Sequence, residues 1–304
     1  TKILFLVKRL LPSGTLFVAL QPKIISPIRI NNDIFVILFF KSCEIFNSKI
    51  HYFMVSKNQI KLITSLQHKK YRIEHQLFIA EGVKVVQELL ASNFVLEHLF
   101  ETEAIFEQVP IFQKTRIKEA DMKRITALSS ASTCLAIFKI PQATRIDTKG
   151  LIVALDDIRD PGNLGTIIRL CDWFGVTQLL CSPETVDVYN PKVIQATMGS
   201  ITRVKVNYVN LNDYIFQSSL PVFGTFMNGK NLYKEVLPKE AILILGNEAN
   251  GISASLEKNI KNRIAIPRFP SVGDDTSCDN IQKTESLNVA TATAIFLGEF
   301  RRNS

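Results

Sequence analysis

Two patterns of apolar residues alternate along residues 150–304. Short, almost uninterrupted apolar runs predict strands, and the stretches between them have helical spacing. The runs are LIVAL (151–155), TQLLCS (177–182), RVKVNY (203–208), PVFGTF (221–226), AILILG (241–246) and RIAI (263–266). Helices are predicted to start near Asn163, Pro191, Asn212 and Ser253, and the chain ends on the helical segment ESLNVATATAIFLGEFRR. Such apolar strands, separated by helices, predict a parallel sheet covered on both faces.

A smaller set of elements precedes this sheet. Three further runs predict strands, namely LFIAEG (77–82), FVLEHLF (94–100) and CLAIFKI (134–140). VKVVQELLAS predicts a helix, and residues 56–75 predict one or two amphipathic helices. PQATRIDTKG (141–150) has the composition of a linker. We therefore predict an α/β protein with a small domain at 54–145 and a larger domain at 150–304.

The first 53 residues differ from the rest. Their apolar runs, ILFLV, LFVAL and IFVILFF, are too short to span a bilayer. They also lack the charge order and cleavage site of a signal peptide. The first methionine is Met54, where ordinary helix-forming sequence begins. We expect the native protein to start at or near Met54, with 1–53 as an upstream extension; a membrane-surface anchor is the alternative.

Charge and cysteine content narrow the class of protein. Residues 54–149 carry 14 Lys and Arg against 10 Asp and Glu, whereas residues 150–304 carry 15 against 16. A basic half joined to a near-neutral half suggests an anionic partner for the first and chemistry in the second. A merely solvated basic face would fit the charge equally well. Five scattered cysteines without a C-x-x-C pair or nearby histidines argue against a metal site and favour a reduced, cytoplasmic protein.

Three polar stretches each follow a predicted strand. They are DPGNLGTIIR (160–169), LGNEANGIS (245–253), and IAIPRF (264–269) with TESLNVATATA (284–294). Glycines let a ligand approach the backbone, helix starts offer free N–H groups, and parallel strands end at one edge of a sheet. Alone, each could be a turn, with Glu248 a helix-start acid or Ser286 an N-cap. Together they predict a ligand site.

The same stretches resemble a known family. NLGTIIR, GNEANGI and IP…ESLNVATATAI are similar to the three motifs of the SpoU-type (TrmH) RNA 2′-O-ribose methyltransferases of the SPOUT superfamily, across residues 150–302. Residues 56–140 resemble the small ribosomal-protein-like substrate-binding domain that often precedes those motifs. The resemblance implies a trefoil-knotted parallel-sheet domain that binds S-adenosylmethionine in the knot. It also implies a homodimer that acts on structured RNA, with rRNA favoured over tRNA, and neither a metal nor a membrane.

The resemblance also assigns roles to residues. Arg169 matches the essential arginine, directed at the ribose and phosphate of the target nucleotide, and Asn163 is its partner. Glu248 and Ser286 match polar side chains near the reacting hydroxyl. Against the cofactor would lie Thr225, Gly246, Ile266, Leu287 and Asn288. The RNA phosphates would be held by Lys57, Lys61, Lys69, Lys70 and Arg72.

These residues do not determine which group accepts the hydroxyl proton. Methyl transfer to a hydroxyl needs an oxygen held in line and a group that accepts or stabilises the proton. Residues 150–304 contain no histidine. A guanidinium has a pKa above ~12, so Arg169 suits stabilisation of the forming oxyanion and a phosphate clamp better than the role of base.

One stretch departs from the family pattern. PSVGDDTSCDNIQKT (270–284) is longer than the usual link and is polar and acidic. It could be a lid, an RNA contact or tolerated length, so a non-catalytic RNA-binding or ribosome-assembly protein on the same scaffold is the alternative function. A nicotinamide dinucleotide enzyme is excluded, because no G-x-G-x-x-G opens the first helix of the larger domain.

Overall fold

The computed structural model of the chain divides into two units, 1–51 and 52–304. In the first unit it describes four short strands. β1 (Leu4–Val7) pairs antiparallel with β4 (Ile37–Phe40), and β2 (Arg29–Ile30) pairs antiparallel with β3 (Asp33–Ile34). In the second unit it describes residues 52–142, 145–269 and 286–302. The long link at 270–284 therefore lies outside the described residues.

The second unit begins with a four-stranded sheet and its helices. The elements are α1 (Lys57–Ser65), α2 (Lys69–His75), β5 (Leu77–Glu81), α3 (Val83–Leu90), β6 (Leu96–Glu101), β7 (Lys114–Arg116), α4 (Glu119–Ile125) and β8 (Cys134–Lys139). The strand order is β5-β8-β6-β7, in which only β6 and β7 are parallel. The three predicted strands are present. β7 was not predicted, because its three residues are polar and half-buried.

A six-stranded, entirely parallel sheet follows. Its strands are β9 (Leu151–Asp156), β10 (Gln178–Cys181), β11 (Lys205–Tyr208), β12 (Val222–Asn231), β13 (Ala241–Gly246) and β14 (Asn262–Ala265), in the order β11-β10-β9-β13-β12-β14. The helices are α5 (Pro161–Trp173), α6 (Pro191–Thr197), α7 (Leu211–Gln217), α8 (Ala254–Glu257) and α9 (Val289–Arg301). The predicted parallel sheet is confirmed, because all of its strand pairs are parallel.

Capping side chains set the first residues of α5 and α9. α5 begins at Pro161, because the Asp160 side chain accepts a hydrogen bond from the backbone N–H of Asn163 and caps the helix. Asn163 therefore lies in the first turn of α5 rather than before it. α9 begins only at Val289, because Asn288 is its N-cap. The alternative that Ser286 caps this helix is wrong.

The core is continuous between the two sheets. One cluster of buried apolar side chains includes Phe78 and Leu99 from the first sheet and Val153 and Leu243 from the second. Fully burying a side chain of this size contributes about 1.5–3 kcal/mol. Cys171 and Cys181 are buried free thiols in this cluster, as predicted for core residues, and burial raises the pKa of both. Among the described helices, none has the length and hydropathy needed to cross a membrane.

A buried ion pair joins α2 to the parallel-sheet part of the chain. The guanidinium of Arg72 lies 2.5 Å from the carboxylate of Asp187, and Arg72 is only 2% exposed. Its Nη1 also donates to the backbone carbonyls of Leu66 and Gln67 at 2.8 Å. The side chain thus has all its polar groups near protein partners and no surface for a phosphate. The prediction that Arg72 contacts RNA is corrected, since it holds α2 in place instead.

Removal of the Arg72 charge tests the strength of this link. We expect Arg72→Met to lower the free energy of unfolding by about 3 kcal/mol, because Asp187 and two carbonyls lose their partner. Urea unfolding followed by circular dichroism measures the change. Arg124→Met is the matched control, since the Arg124 side chain is 55% exposed beside Asp121, and exposed pairs contribute at most about 1 kcal/mol. Equal losses in the two variants would contradict the assignment.

Candidate active site

The three polar stretches meet at the carboxyl edge of the parallel sheet. Gly246, the last residue of β13, pairs in register with Asp156, the last residue of β9. On the other side of β13, Thr225 of β12 pairs with Ile264 of β14, two residues before Ile266. The predicted cofactor residues Thr225, Gly246 and Ile266 therefore lie on or directly after three neighbouring strands. Gly246 is buried, and the other two are half-buried.

The Asn163 amide connects the three stretches. Its Nδ2 donates a hydrogen bond to Oε1 of Glu248, and its Oδ1 accepts one from Nδ2 of Asn288 at 2.9 Å. The other end of the Asn288 amide is also used, because its Oδ1 accepts from the backbone N–H groups of Ala290 and Thr291 and caps α9. One residue from each predicted stretch is thus joined in a row, Glu248–Asn163–Asn288.

The turn that carries Glu248 is attached to the end of β9. Nδ2 of Asn247 donates to the backbone carbonyl of Asp157 at 2.7 Å, and the N–H of Ser253 donates to Oδ2 of Asp156 at 2.7 Å. Asn247 and Gly251 also exchange two backbone hydrogen bonds, of 3.0 and 2.8 Å. These bonds hold the carboxylate of Glu248 on a closed turn rather than on a free loop.

Backbone strain marks the same edge. Asp157 has a φ of 56°, in the left-handed region that few residues other than glycine adopt. Its backbone N–H donates to Oγ of Ser182 at 3.0 Å, and its carbonyl accepts from Asn247. Residues held in this region cost about 1–3 kcal/mol each and cluster at functional sites. The left-handed backbone conformation of Asp157 turns the chain between the end of β9 and the start of α5.

Arg169 lies on a different face of α5. It is exposed, together with Thr166 and Trp173, which is 84% exposed. Asn163 is instead half-buried at the start of the helix. Within the part of the chain that the structure describes, the Arg169 guanidinium forms no ion pair. Among the described residues, no hydrogen bond or ion pair joins Arg169 to Asn163, and the Arg169 side chain is exposed to solvent.

The remaining predicted residues have the following places. Ser286 and Leu287 are exposed and directly precede the Asn288 cap. No hydrogen bond of the Ser286 side chain is found among residues 52–142, 145–269 and 286–302, so Ser286 stands near the row without joining it. The four predicted RNA-binding lysines are exposed, with Lys57 and Lys61 on α1 and Lys69 and Lys70 on α2.

Sequence reasoning missed the residues that position this site. Asn247, Asp156 and Asp157 hold the turn, and Asp160 caps α5. Asp160 directly before Pro161 is a sequence pattern typical of a helix N-cap, and it could have been recognised. The buried Asp156, at the end of an apolar strand, was a second signal, because a buried carboxylate needs a partner. Over the described ranges, no group of histidine, cysteine or acidic residues has the geometry to hold a metal ion.

Gly246 sets how closely the Glu248 turn approaches the sheet. A Cβ at this position would lie 2.2 Å from the carbonyl carbon of Gly251 and 2.3 Å from the nitrogen of Ile252. We expect Gly246→Ala to cost about 1–3 kcal/mol of stability, because backbone rather than a flexible side chain must shift. Thermal unfolding measures the loss.

Gly298→Ala is the control for this prediction. The nearest atom to its added Cβ is a ring carbon of Phe174 at 3.9 Å, an ordinary contact. Alanine in a helix is also favoured over glycine by about 1 kcal/mol. A Gly246→Ala protein that melts no lower than Gly298→Ala would refute the close packing of the turn.

Comparison with known proteins agrees with this geometry. The profile of the SpoU rRNA methylase family matches residues 150–298, and the profile of the MRM3-like substrate binding domain matches residues 57–136. The 23S rRNA (guanosine(2553)-2′-O)-methyltransferase RlmP of Bacillus subtilis is 28% identical over 254 residues, which cover 81% of this chain and 97% of that protein.

Two solved structures also match along nearly their whole length. One, from Porphyromonas gingivalis and assigned to the TrmH family of RNA methyltransferases, is 36% identical with a TM-score of 0.73, and the match covers 83% of this chain and 100% of that one. The AdoMet-bound rRNA methyltransferase of Sinorhizobium meliloti is 28% identical with a TM-score of 0.71, covering 83% and 97%. The chain belongs to the SpoU (TrmH) family of RNA methyltransferases.

Proposed function

We propose that the protein transfers a methyl group from S-adenosylmethionine to a ribose 2′-hydroxyl of structured RNA, with rRNA favoured over tRNA. The observation that carries this proposal is the row Glu248–Asn163–Asn288, which joins all three motif stretches at one edge of the parallel sheet. The relatives named as rRNA 2′-O-methyltransferases favour rRNA over tRNA. A non-catalytic RNA-binding protein is the alternative, and the retained polar row argues against it.

The chain's own groups fit the cofactor. Its binding place would be the carboxyl edge formed by Thr225, Gly246 and Ile266, closed by Leu287 and Asn288. A hydroxyl, an amide and backbone polar groups next to half-buried apolar residues suit a nucleoside with an amino acid tail. Gly246 leaves no side chain on the inner side of the turn. When bound, S-adenosylmethionine supplies an electrophilic methyl group on a positively charged sulfur.

The residues of the row would orient and stabilise the reacting hydroxyl. Arg169 offers an exposed guanidinium that can clamp a phosphate next to the target ribose and stabilise the negative charge that develops on the 2′-oxygen. Glu248 is held by the Asn163 amide, and its carboxylate is the group that we propose to accept the hydroxyl proton. Ser286, beside the row, would contact the ribose. Orientation by such fixed groups lowers the barrier to transfer.

In this proposal the two parts of the chain have different roles. Residues 54–145 would bind the RNA substrate and residues 150–304 would carry the reaction. The exposed amines that would neutralise RNA phosphates without reading sequence are Lys57, Lys61, Lys69 and Lys70. The buried cysteines are free thiols, which is typical of proteins in a reducing compartment. We propose the cytoplasm as the compartment in which the protein modifies rRNA.

We further propose that the C-terminal segment forms a trefoil knot. β14 lies at one end of the sheet, whereas Asn288, the N-cap of α9, is bonded to Asn163 in the helix that follows β9. α9 lies along α5, where Nε of Arg301 donates to the carbonyl of Phe174 at 2.9 Å. A knot in this part of the chain would enclose the cofactor edge.

The outer face of α5 supports a homodimer. Thr166, Arg169 and Trp173 form an exposed stripe on this helix. Trp173 is 84% exposed, and tryptophan is enriched at protein–protein interfaces. A second copy of the chain packed on this stripe would cover Trp173 and bring Arg169 close to the subunit interface. Each active site would then be built near both subunits.

Methyl transfer by the full chain tests the proposed activity. The assay uses tritium-labelled S-adenosylmethionine with unmodified rRNA and, separately, tRNA, and it follows label into alkali-resistant dinucleotides. We expect label in rRNA, and we expect Arg169→Ala to lower the rate at least about a hundredfold, as for loss of one charge-stabilising donor. Arg145→Ala, which removes an exposed arginine from the linker, should not change it.

The outcomes separate the alternatives. Label in tRNA alone would assign tRNA as the substrate. No label in either RNA, with RNA still bound, would support the non-catalytic RNA-binding protein. An Arg169→Ala protein that is as active as the wild type would remove Arg169 from the proposed site.

The proposed dimer is tested at Trp173. We expect Trp173→Glu to convert a dimer into monomers in sedimentation experiments, because a carboxylate would replace the large apolar side chain that the interface buries. Phe216→Glu is the matched control, since Phe216 is 90% exposed on α7. A wild-type monomer, or a Trp173→Glu dimer as stable as the wild type, would overturn the proposed interface.

A further inference from the structure

An exposed row of aromatic rings runs along α2. Tyr71 lies between His68 and His75, with ring centroids 6.5 Å apart in both pairs. Tyr71 and His75 are nearly parallel, with an angle of 17° between the ring planes. All three side chains are exposed, and Tyr71 is 37% exposed. The Tyr71 ring is thus partly exposed, with His75 against one of its faces.

A fourth ring faces the solvent across the seam between the two sheets. Tyr208, the last residue of β11, is 37% exposed, and Lys69 of α2 lies 5.9 Å from its ring centroid. The Tyr208 hydroxyl is occupied, because it donates to the carbonyl of Val186 at 2.5 Å and accepts from the N–H of Val188 at 2.8 Å. These two bonds fix the ring, which stays partly exposed beside the Lys69 amine.

Each of these two tyrosines, Tyr71 and Tyr208, has a lysine amine near its ring. Nζ of Lys70 lies 5.8 Å from the ring centroid of Tyr71, as Nζ of Lys69 does at 5.9 Å from that of Tyr208. Glu74 is the one carboxylate of α2, whereas Asp187 on the other side of the seam is neutralised by Arg72. A ring face that stacks a base, with an amine that neutralises its phosphate, is the combination by which proteins bind unpaired nucleotides.

The buried ion pair keeps these rings in one surface. Arg72 follows Tyr71 directly and is anchored to Asp187, which lies beside the loop that holds the Tyr208 hydroxyl. The position of α2 relative to β11 is thus set by a buried contact rather than by the exposed side chains. Rings held in this way lose little conformational freedom when they stack on a base.

The aromatic rings also lie near the sheet edge that carries the proposed active site. β11, β10 and β9 are parallel and in register, with Tyr208 opposite Cys181 and Cys181 opposite Leu155. Tyr208 therefore lies at the carboxyl edge of the sheet, where the Glu248–Asn163–Asn288 row lies. Two strand spacings separate β11 from β9, or about 10 Å. One short stretch of RNA could reach both places.

We propose that His68, Tyr71, His75 and Tyr208, which we term the α2 platform, stack unpaired bases of the RNA substrate next to the modified nucleotide. The substrate would then be a loop, bulge or end rather than a continuous duplex. This inference rests on the proposed function for its RNA, and it deepens that function by naming the substrate class. The lysines alone would not make this distinction, because a duplex and a loop both carry phosphates.

Binding of the full chain to two labelled hairpins tests the platform. One hairpin has an unpaired loop of mixed sequence, the other has the same length with its bases paired as far as folding allows, and fluorescence anisotropy measures Kd. We expect Tyr71→Ala to weaken binding to the looped RNA about five- to 150-fold, as for loss of one stacked base, and to leave the paired RNA unaffected. Tyr71→Phe should keep wild-type affinity, because the ring face remains.

Two matched variants separate stacking from charge. Phe112→Ala removes another exposed aromatic ring, 78% exposed on the first sheet's side of the chain, and should change neither Kd. Lys70→Ala should lower the salt dependence of binding to both RNAs by about 0.7 in the slope of log K against log salt concentration. Tyr71→Ala should leave that slope as it is. Equal losses for both RNAs, or none for either, would overturn the platform.

The test is separable from that of the proposed function. A protein that selects looped RNA through Tyr71 but transfers no methyl group would refute the methyltransferase proposal and keep the platform. A protein that methylates RNA with the same preference before and after Tyr71→Ala would refute the platform and keep the methyltransferase.

Discussion

The site depends on a single side-chain amide. Asn163 can serve Glu248 and Asn288 at once because an amide carries a donor and an acceptor on the same planar group. It occupies the first turn of α5, whose start is set by the Asp160 cap and by the strained turn at Asp157. Since Glu248 is 85 residues away and Asn288 is 125 residues away, the amide closes two long loops onto one edge of the sheet.

A second contact between distant residues organises the side that we propose to bind RNA. The Arg72–Asp187 pair spans 115 residues and is nearly inaccessible to water on the arginine side. Such a pair gives little net stability against an apolar replacement, but the loss of one partner is costly. Its effect here is one of placement, because α2, its lysines and its rings are held against the end of β11. The proposed catalytic and RNA-binding surfaces would thus share one sheet edge.

The regular elements were predictable because each strand of the large sheet is a short apolar run, and the rule for parallel strands placed the three motif stretches together. The predictions that failed concern features that depend on residues far away in the sequence or on weak sequence patterns. Arg72 has the spacing of a solvent-facing basic residue, and only a carboxylate 115 residues away makes it buried. β12 was expected to end at residue 226, yet it resumes pairing at Lys230 after an irregularity that the sequence of residues 227–230 does not predict. Which atoms of Asn163, Glu248 and Asn288 meet could not be derived from a pattern.

The most direct test of the account is a double-mutant cycle between Asn163 and Glu248. Methyl transfer to rRNA is measured for the full chain, for Asn163→Ala, for Glu248→Ala and for the double variant. Because the two side chains share one hydrogen bond, the account predicts that the double variant is less impaired than the product of the single losses, with a coupling of roughly 0.5–3 kcal/mol. Strictly additive losses would contradict the claim that Asn163 acts through Glu248 to form one site.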